Sequence, residues 1–218
     1  MLILRSSDNC QLITEMCFHS KQSKDAQTIA KRFKAKVFED ISVQSDRFNG
    51  FTFPKTPVIT NQFPDTIQLY TWGLMPSWSK DPKYRVNTLN ARIETLAEKP
   101  TFKNYISNRC LIISDGFFEW KWLDEKGKNK QQYLITLPNE EPFAFAGIYS
   151  QWTDKNTGEL LDTYTILTTQ ANDLMSEIHN TKKRMPVILK PENEQLWLGG
   201  DEVMMFSHPE IELLATPI

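Results

Sequence analysis

The stretch Cys110-Leu-Ile-Ile-Ser-Asp-Gly-Phe-Phe-Glu-Trp120 decides how the chain reads. Leu111, Ile112 and Ile113 form a short β-favouring apolar run of the kind that sits inside a sheet. Ser114, Asp115 and Gly116 supply turn chemistry, the glycine permitting a bend or a close backbone approach. Phe117, Phe118 and Trp120 then surround one carboxylate, Glu119. Burying that acid in charged form is costly, so its pKa rises or it finds a partner. Such a carboxyl can give and take protons near neutral pH. The structural alternative is that strand alternation turns Glu119 to solvent and Phe118 and Trp120 inward.

Outward from this stretch, alternation and turn residues predict strands over Ile67–Trp72, Gln132–Leu137, Phe143–Tyr149, Thr163–Thr168, Met185–Leu189 and Ile211–Ala215. Asp124–Lys130 reads as a charged hairpin tip, and residues 37–66 as loops with short strands. Helices are predicted over Ser23–Ala35 with Ser23 as cap, over Asn172–His179, and from Pro191 to Gly199-Gly200. Shorter ones fall near Glu94–Glu98 and Phe102–Ser107. With no repeat, low-complexity tract or linker, the expected fold is a single α+β domain over 16–218. Its core is a mostly antiparallel, barrel-like sheet with flanking helices. Residues 1–15 read as an N-terminal extension, either flexible or upstream of the biological start at Met16.

The 218 residues are 40% apolar and 24% charged, as in an ordinary globular protein, and no run approaches the ~20 apolar residues of a membrane span. Three cysteines (Cys10, Cys17, Cys110) form neither a metal spacing nor an even disulfide framework, so a reduced cytoplasmic setting is expected. With only His19, His179 and His208, no metal site is expected and no organic cofactor. A net charge of −2 gives no general case for nucleic acid. Locally, however, Lys80 to Arg109 carries seven basic residues against three acidic ones, and Thr181 to Lys190 carries four against none. Trp72, Trp78 and Trp120 lie near these segments, and aromatics beside a cationic groove suit unstacked bases.

Several motifs occur together in order: Met16-Cys17, Asn90-Ala-Arg92-x-Glu-Thr95, Gly116-Phe-Phe-Glu119-Trp120, Ala146-Gly-Ile, Thr168-Thr169 and His179…Arg184-Met-Pro186. Jointly they resemble the SRAP family (SOS-response-associated peptidase domain), whose members sense abasic sites in single-stranded DNA. The resemblance implies removal of the initiator methionine and a covalent crosslink from the resulting N-terminal cysteine to the ring-opened abasic sugar. It makes Cys17 the nucleophile, Glu119 the acid/base, His179 its partner in proton transfer and reversal, and Asn90 the holder of the amino terminus. It makes Arg92 and Arg184 phosphate ligands, Trp78 and Trp120 aromatics on the strand path, and Thr168 a further contact. It also suggests a monomer with no membrane association.

Two departures stand out. Many members begin Met-Cys-Gly-Arg, where this chain has Met16-Cys17-Phe18-His19, so His19 or Lys21 substitutes for the arginine or that contact is absent. His179 lies further from Arg184 than usual, which leaves Lys182 or Lys183 as alternative phosphate ligands. Other readings of the same residues are a thiol hydrolase with Cys17 as nucleophile and His179 as base, and a non-covalent single-strand binder.

Overall fold

The computed structural model describes residues 17–38 and 45–218. The extension expected over 1–15, and Met16, lie outside the described residues. Strand β1 (His19–Gln22) leads into α1 (Ala26–Phe33). Asp25, not Ser23, caps that helix, its carboxylate accepting the Thr28 N–H at 2.7 Å. Ser23 is instead bound through its own N–H and hydroxyl to Asp115. Next come β2 (Lys36–Val37), β3 (Ser45–Asn49), β4 (Lys55–Thr60), β5 (Phe63–Trp72) and the short β6 (Asn90–Arg92). The helices expected near 94–98 and 102–107 are single 3₁₀ turns, Ile93–Thr95 and Lys103–Tyr105. Segments this short, with Pro100 between them, cannot offset the cost of nucleating an α-helix.

The opening stretch forms β7 (Arg109–Ser114) and β8 (Gly116–Trp122), broken at Asp115. Long hairpins follow: β9 (Lys130–Thr136), β10 (Phe143–Thr153) and β11 (Leu160–Gln170). Then come α2 (Asp173–Ile178), capped by Asn172, β12 (Arg184–Pro186), β13 (Ile188–Leu189), α3 (Pro191–Gly199) and β14 (Leu214–Pro217). The single strand expected over 185–189 is split at Val187. Its N–H bonds to Leu167 in β11 while its carbonyl takes the Ala146 N–H of β10, so the chain changes partner there. Gly200, at φ 96°, closes α3 with backbone bonds to Leu196 and Trp197, as the Gly199-Gly200 pair predicts.

Five strands close on themselves in the order β4, β5, β11, β10, β7 and back to β4. Most pairs are antiparallel. The ring closes through a parallel pair, β5 with β11, matching Thr71 to Thr163 and Trp72 to Tyr164. Closure removes two sheet edges that would otherwise invite pairing. Val58, Cys110, Ile112, Tyr70, Phe145 and Tyr164 form one apolar cluster. The alternate residues Ile59, Leu111 and Ile113 form another with Ile29 and Phe33 of α1 and Trp197 of α3. The second cluster carries α1 and α3 on the outside, and the alternate residues of the same strands face inward, so the first cluster fills the interior, with Met175 and Ile178 of α2 added to it. Cys17 belongs to that cluster. A second sheet, β14-β9-β8-β1-β3, lies beside the barrel. The fold is the expected α+β domain with a mostly antiparallel barrel core. Among the described residues, no helix is long and apolar enough to cross a membrane.

Candidate active site

Cys17 stands two residues before β1, which pairs with β8 through His19–Phe118 and Ser20–Phe117. That antiparallel register carries Cys17 alongside Glu119–Trp120. Asn90, at the start of β6, is set by the parallel pairing of β6 with β11 (Asn90 to Ile166). Its amide donates to the Cys17 carbonyl at 3.2 Å, so it holds the backbone of the cysteine and is not a turn stabiliser. His179 ends α2, with its own N–H on Met175 at 2.7 Å.

Cys17, Asn90, Glu119 and His179 are all buried. Glu119 therefore does not point to solvent. Burial pushes its carboxyl up, partly offset by His179, by a hydrogen bond with Cys17 and by the Trp120 N–H. Burial raises the Cys17 thiol well above its ordinary value, and the Glu119 charge and hydrogen bond raise it further, so the resting sulfur is a protonated thiol beside a carboxyl. Three buried atoms here have no hydrogen-bond partner: Glu119 Oε1, His179 Nε2 and Asn90 Oδ1. Buried polar atoms are nearly always satisfied, and three orphans around one cysteine mark a place where a ligand would complete the network.

The other edge of His179 is held by main chain. Its Nδ1 accepts the Arg184 N–H at 3.1 Å, or when protonated donates to the Arg184 carbonyl at 2.9 Å. The ring keeps a bond at Nδ1 in either tautomer, so Nε2 is free to take a proton or to give one. The four residues separating His179 from Arg184 are themselves anchored. Asn180 accepts the Trp122 N–H at 3.1 Å and donates to the Trp122 carbonyl at 2.9 Å, tying this turn to the strand that carries Glu119.

The remaining expected residues divide. Arg92 is exposed at the end of β6. Trp78 is 52% exposed and meets Tyr84 edge-on at 5.0 Å. Trp120 is half-buried, edge-on to His19 at 5.0 Å. Arg184 is buried and paired bidentately with Glu94, Nη1 to Oε1 at 2.7 Å and Nη2 to Oε2 at 2.8 Å. As it stands it is a structural clamp, not an open phosphate ligand. Lys182 and Lys183 lie exposed in the turn before it. Thr168 is fully buried: its hydroxyl bonds Ala91 O at 3.4 Å and its carbonyl takes Arg184 Nη2 at 2.7 Å. Trp72 is core, donating to Leu89 O at 2.8 Å. Arg109, counted in the basic segment, is buried against the Trp197 ring at 4.4 Å. Lys21 is tied to Asp115 at 3.2 Å. Burial and the charge of Arg47 hold the His19 imidazole below its ordinary value, which disfavours the cation that would stand in for arginine. Glu94 stands in the Asn90–Thr95 motif with no role assigned to it, and Asn180 and Arg47 stand in no motif; each acts through a partner far away in the chain.

The architecture is that of a small barrel domain in which a cysteine, a raised carboxyl, an imidazole and an amide close on one buried point. The family model for SOS response associated peptidase (SRAP) matches residues 16–215, and the chain belongs to that family. The abasic site processing protein YoqW of Bacillus subtilis (strain 168) is 50% identical over 129 residues, 59% of this chain and 55% of that protein. The abasic site processing protein HMCES of Gallus gallus is 35% identical over 156 residues, 61% of this chain and 45% of that protein. This chain thus spans about half the length of these curated relatives. A solved protein from Bacteroides thetaiotaomicron superposes with TM-score 0.85 at 37% identity, covering 93% of this chain and 92% of its own.

Proposed function

We propose that this chain processes abasic sites in single-stranded DNA by joining Cys17 covalently to the ring-opened sugar. The observation that carries the reading is the buried cluster of Cys17, Glu119, His179 and Asn90 with three unpartnered polar atoms. The active chain begins at Cys17, with residues 1–16 absent, because the chemistry uses the α-amine. An α-amine has a pKa of about 7.7–8.0, so an appreciable fraction is unprotonated at neutral pH. It attacks the sugar aldehyde and expels one water to give an imine. The neighbouring thiol then adds across C=N: sulfur bonds to the former aldehyde carbon, the thiol proton ends on the ring nitrogen, and a five-membered thiazolidine closes.

Glu119 in its protonated form donates to the departing oxygen, and as carboxylate it takes the thiol proton. Burial raises its pKa above the ordinary carboxylate value, which favours the protonated form it needs as a donor. His179 Nε2 is the second proton carrier, in either direction. Asn90 fixes the Cys17 carbonyl, and so the position of the amine. The relatives' names support lesion processing, whereas the strand preference, the ring chemistry and the monomeric state belong to this proposal.

The test is intact mass of a chain beginning at Cys17 after incubation with an abasic single-stranded oligonucleotide. The expected mass is protein plus DNA minus one water, and it is lost in Cys17→Ala. Absence of any adduct refutes the proposal.

A further inference from the structure

The second sheet has a face that this chemistry does not use. Along β8, Phe118, Trp120 and Trp122 alternate with Glu119 and lie opposite it. His19 pairs with Phe118 on one side and with Asn49 of β3 on the other, so Arg47, two residues before Asn49, shares that face. The Arg47 guanidinium lies 4.3 Å from the Phe118 ring centre and 5.7 Å from that of Trp120. The residue is exposed, and among the described residues no carboxylate pairs with it.

The neighbouring basic groups are already spoken for. Lys21 is bound to Asp115, and burial beside Arg47 disfavours a charged His19. The permanent positive charge beside His19 is therefore Arg47, with Lys130 over the Trp122 ring at 4.7 Å further along the same face. A guanidinium resting on aromatic rings is held in orientation while its N–H edge stays open, the geometry that takes two phosphate oxygens. The half-buried Trp120 beside it offers a surface for an unstacked base. The face begins at His19, two residues from Cys17, so a phosphate bound here belongs to the strand next to the lesion.

We propose that Arg47, seated on Phe118 and Trp120 beside His19, is a phosphate subsite for the single strand flanking the abasic nucleotide. This rests on the function proposed above and adds a residue outside every motif used there.

The test is non-covalent binding of an unmodified single-stranded oligonucleotide across a salt series. Each phosphate contact contributes about 0.7 to the slope of log K against log salt for a single strand. Arg47→Gln is expected to reduce the slope by about that amount. Arg47→Lys is expected to keep the slope but bind more weakly, because ammonium loses the planar seat on the rings. Lys155→Gln, in the exposed β10–β11 turn, removes the same charge elsewhere and is expected to leave the slope alone. An Arg47→Gln slope equal to wild type, or equal to that of Lys155→Gln, overturns the subsite. If the wild-type chain forms its adduct while that slope is unchanged, only the subsite fails. If it neither binds with salt dependence nor forms an adduct, the proposed function fails with it.

Discussion

Glu94→Gln tests how the site is held from behind. In the native arrangement Glu94 binds both Arg184 Nη atoms, at 2.7 and 2.8 Å, and the Arg184 main chain brackets His179 Nδ1. The substitution leaves a guanidinium in a residue only 9% exposed, with the neutral Thr168 carbonyl as its remaining strong partner. Breaking a fully buried ion pair costs about 3–5 kcal/mol, and an exposed one about 0–1. The Glu94 side chain is 34% exposed, so the expected loss is discounted to roughly 1–3 kcal/mol. For a chain of this size that is a Tm fall of roughly 2–12 °C. Burial pushes the Glu94 carboxyl up, but the hydrogen bonds and charge of Arg184 outweigh it and hold the carboxyl below its ordinary value. A depressed carboxylate stabilises the fold above its unfolded pKa, about 4.3, and that contribution is lost as pH falls through the folded value. Thermal melting at pH 7 and through the acid range should therefore show a wild-type advantage that closes below about pH 4. Adduct formation should slow as well, because the strand clasping His179 loosens. A Tm within ~1 °C of wild type at pH 7, or a gap that persists undiminished at about pH 3, refutes the reasoning.

Glu119→Gln keeps the shape of the site but cannot transfer a proton, so adduct formation should slow by about 10²–10⁴-fold in single-turnover assays. Because the Glu119 pKa is raised, its contribution to stability is present below the unfolded pKa of about 4.3 and is lost as pH rises through the folded value. The variant should therefore melt higher than wild type at pH 8 and no higher at pH 4; equal melting at pH 8 would contradict the burial argument. Gly147→Ala puts a Cβ against the Ile112 side chain and 2.7 Å from the Thr165 carbonyl inside the barrel, an overpacking worth about 1–3 kcal/mol in denaturant titration. Asn180→Ala removes both bonds to the Trp122 main chain. It should raise amide exchange over 179–183 and slow the adduct, whereas unchanged exchange would show that the turn needs no anchor.

What sequence could reveal follows the range of the interactions. The strand–turn–strand of Cys110–Trp120, the hairpin tip at 124–130 and the Pro191 to Gly200 helix rest on neighbours in the chain, and they form as read. The barrel's closing pair, Trp72 with Tyr164, and the change of partner at Val187 depend on strands that meet only after folding, and no local pattern encodes them. At the site, Glu119 was legible because a carboxyl among aromatics is anomalous in itself. Arg184 was legible as a cation near His179, but its pairing with Glu94 was not, because 90 residues separate them. Thr168 was placed by spacing, which gives position along a strand but not the depth at which its hydroxyl lies. Arg47 sits in a segment that reads as loop, and its seat on Phe118 and Trp120 appears only when β3, β1 and β8 align.

The most direct test of the central claim is to block the amine alone. A chain beginning at Cys17 is prepared with its α-amine free and with it acetylated, the thiol untouched in both, and each is incubated with abasic single-stranded DNA and weighed intact. A DNA adduct, short of protein plus DNA by one water, is expected for the free amine and none for the acetylated chain. An acetylated chain that crosslinks equally well would contradict this expectation, showing that the thiol acts alone.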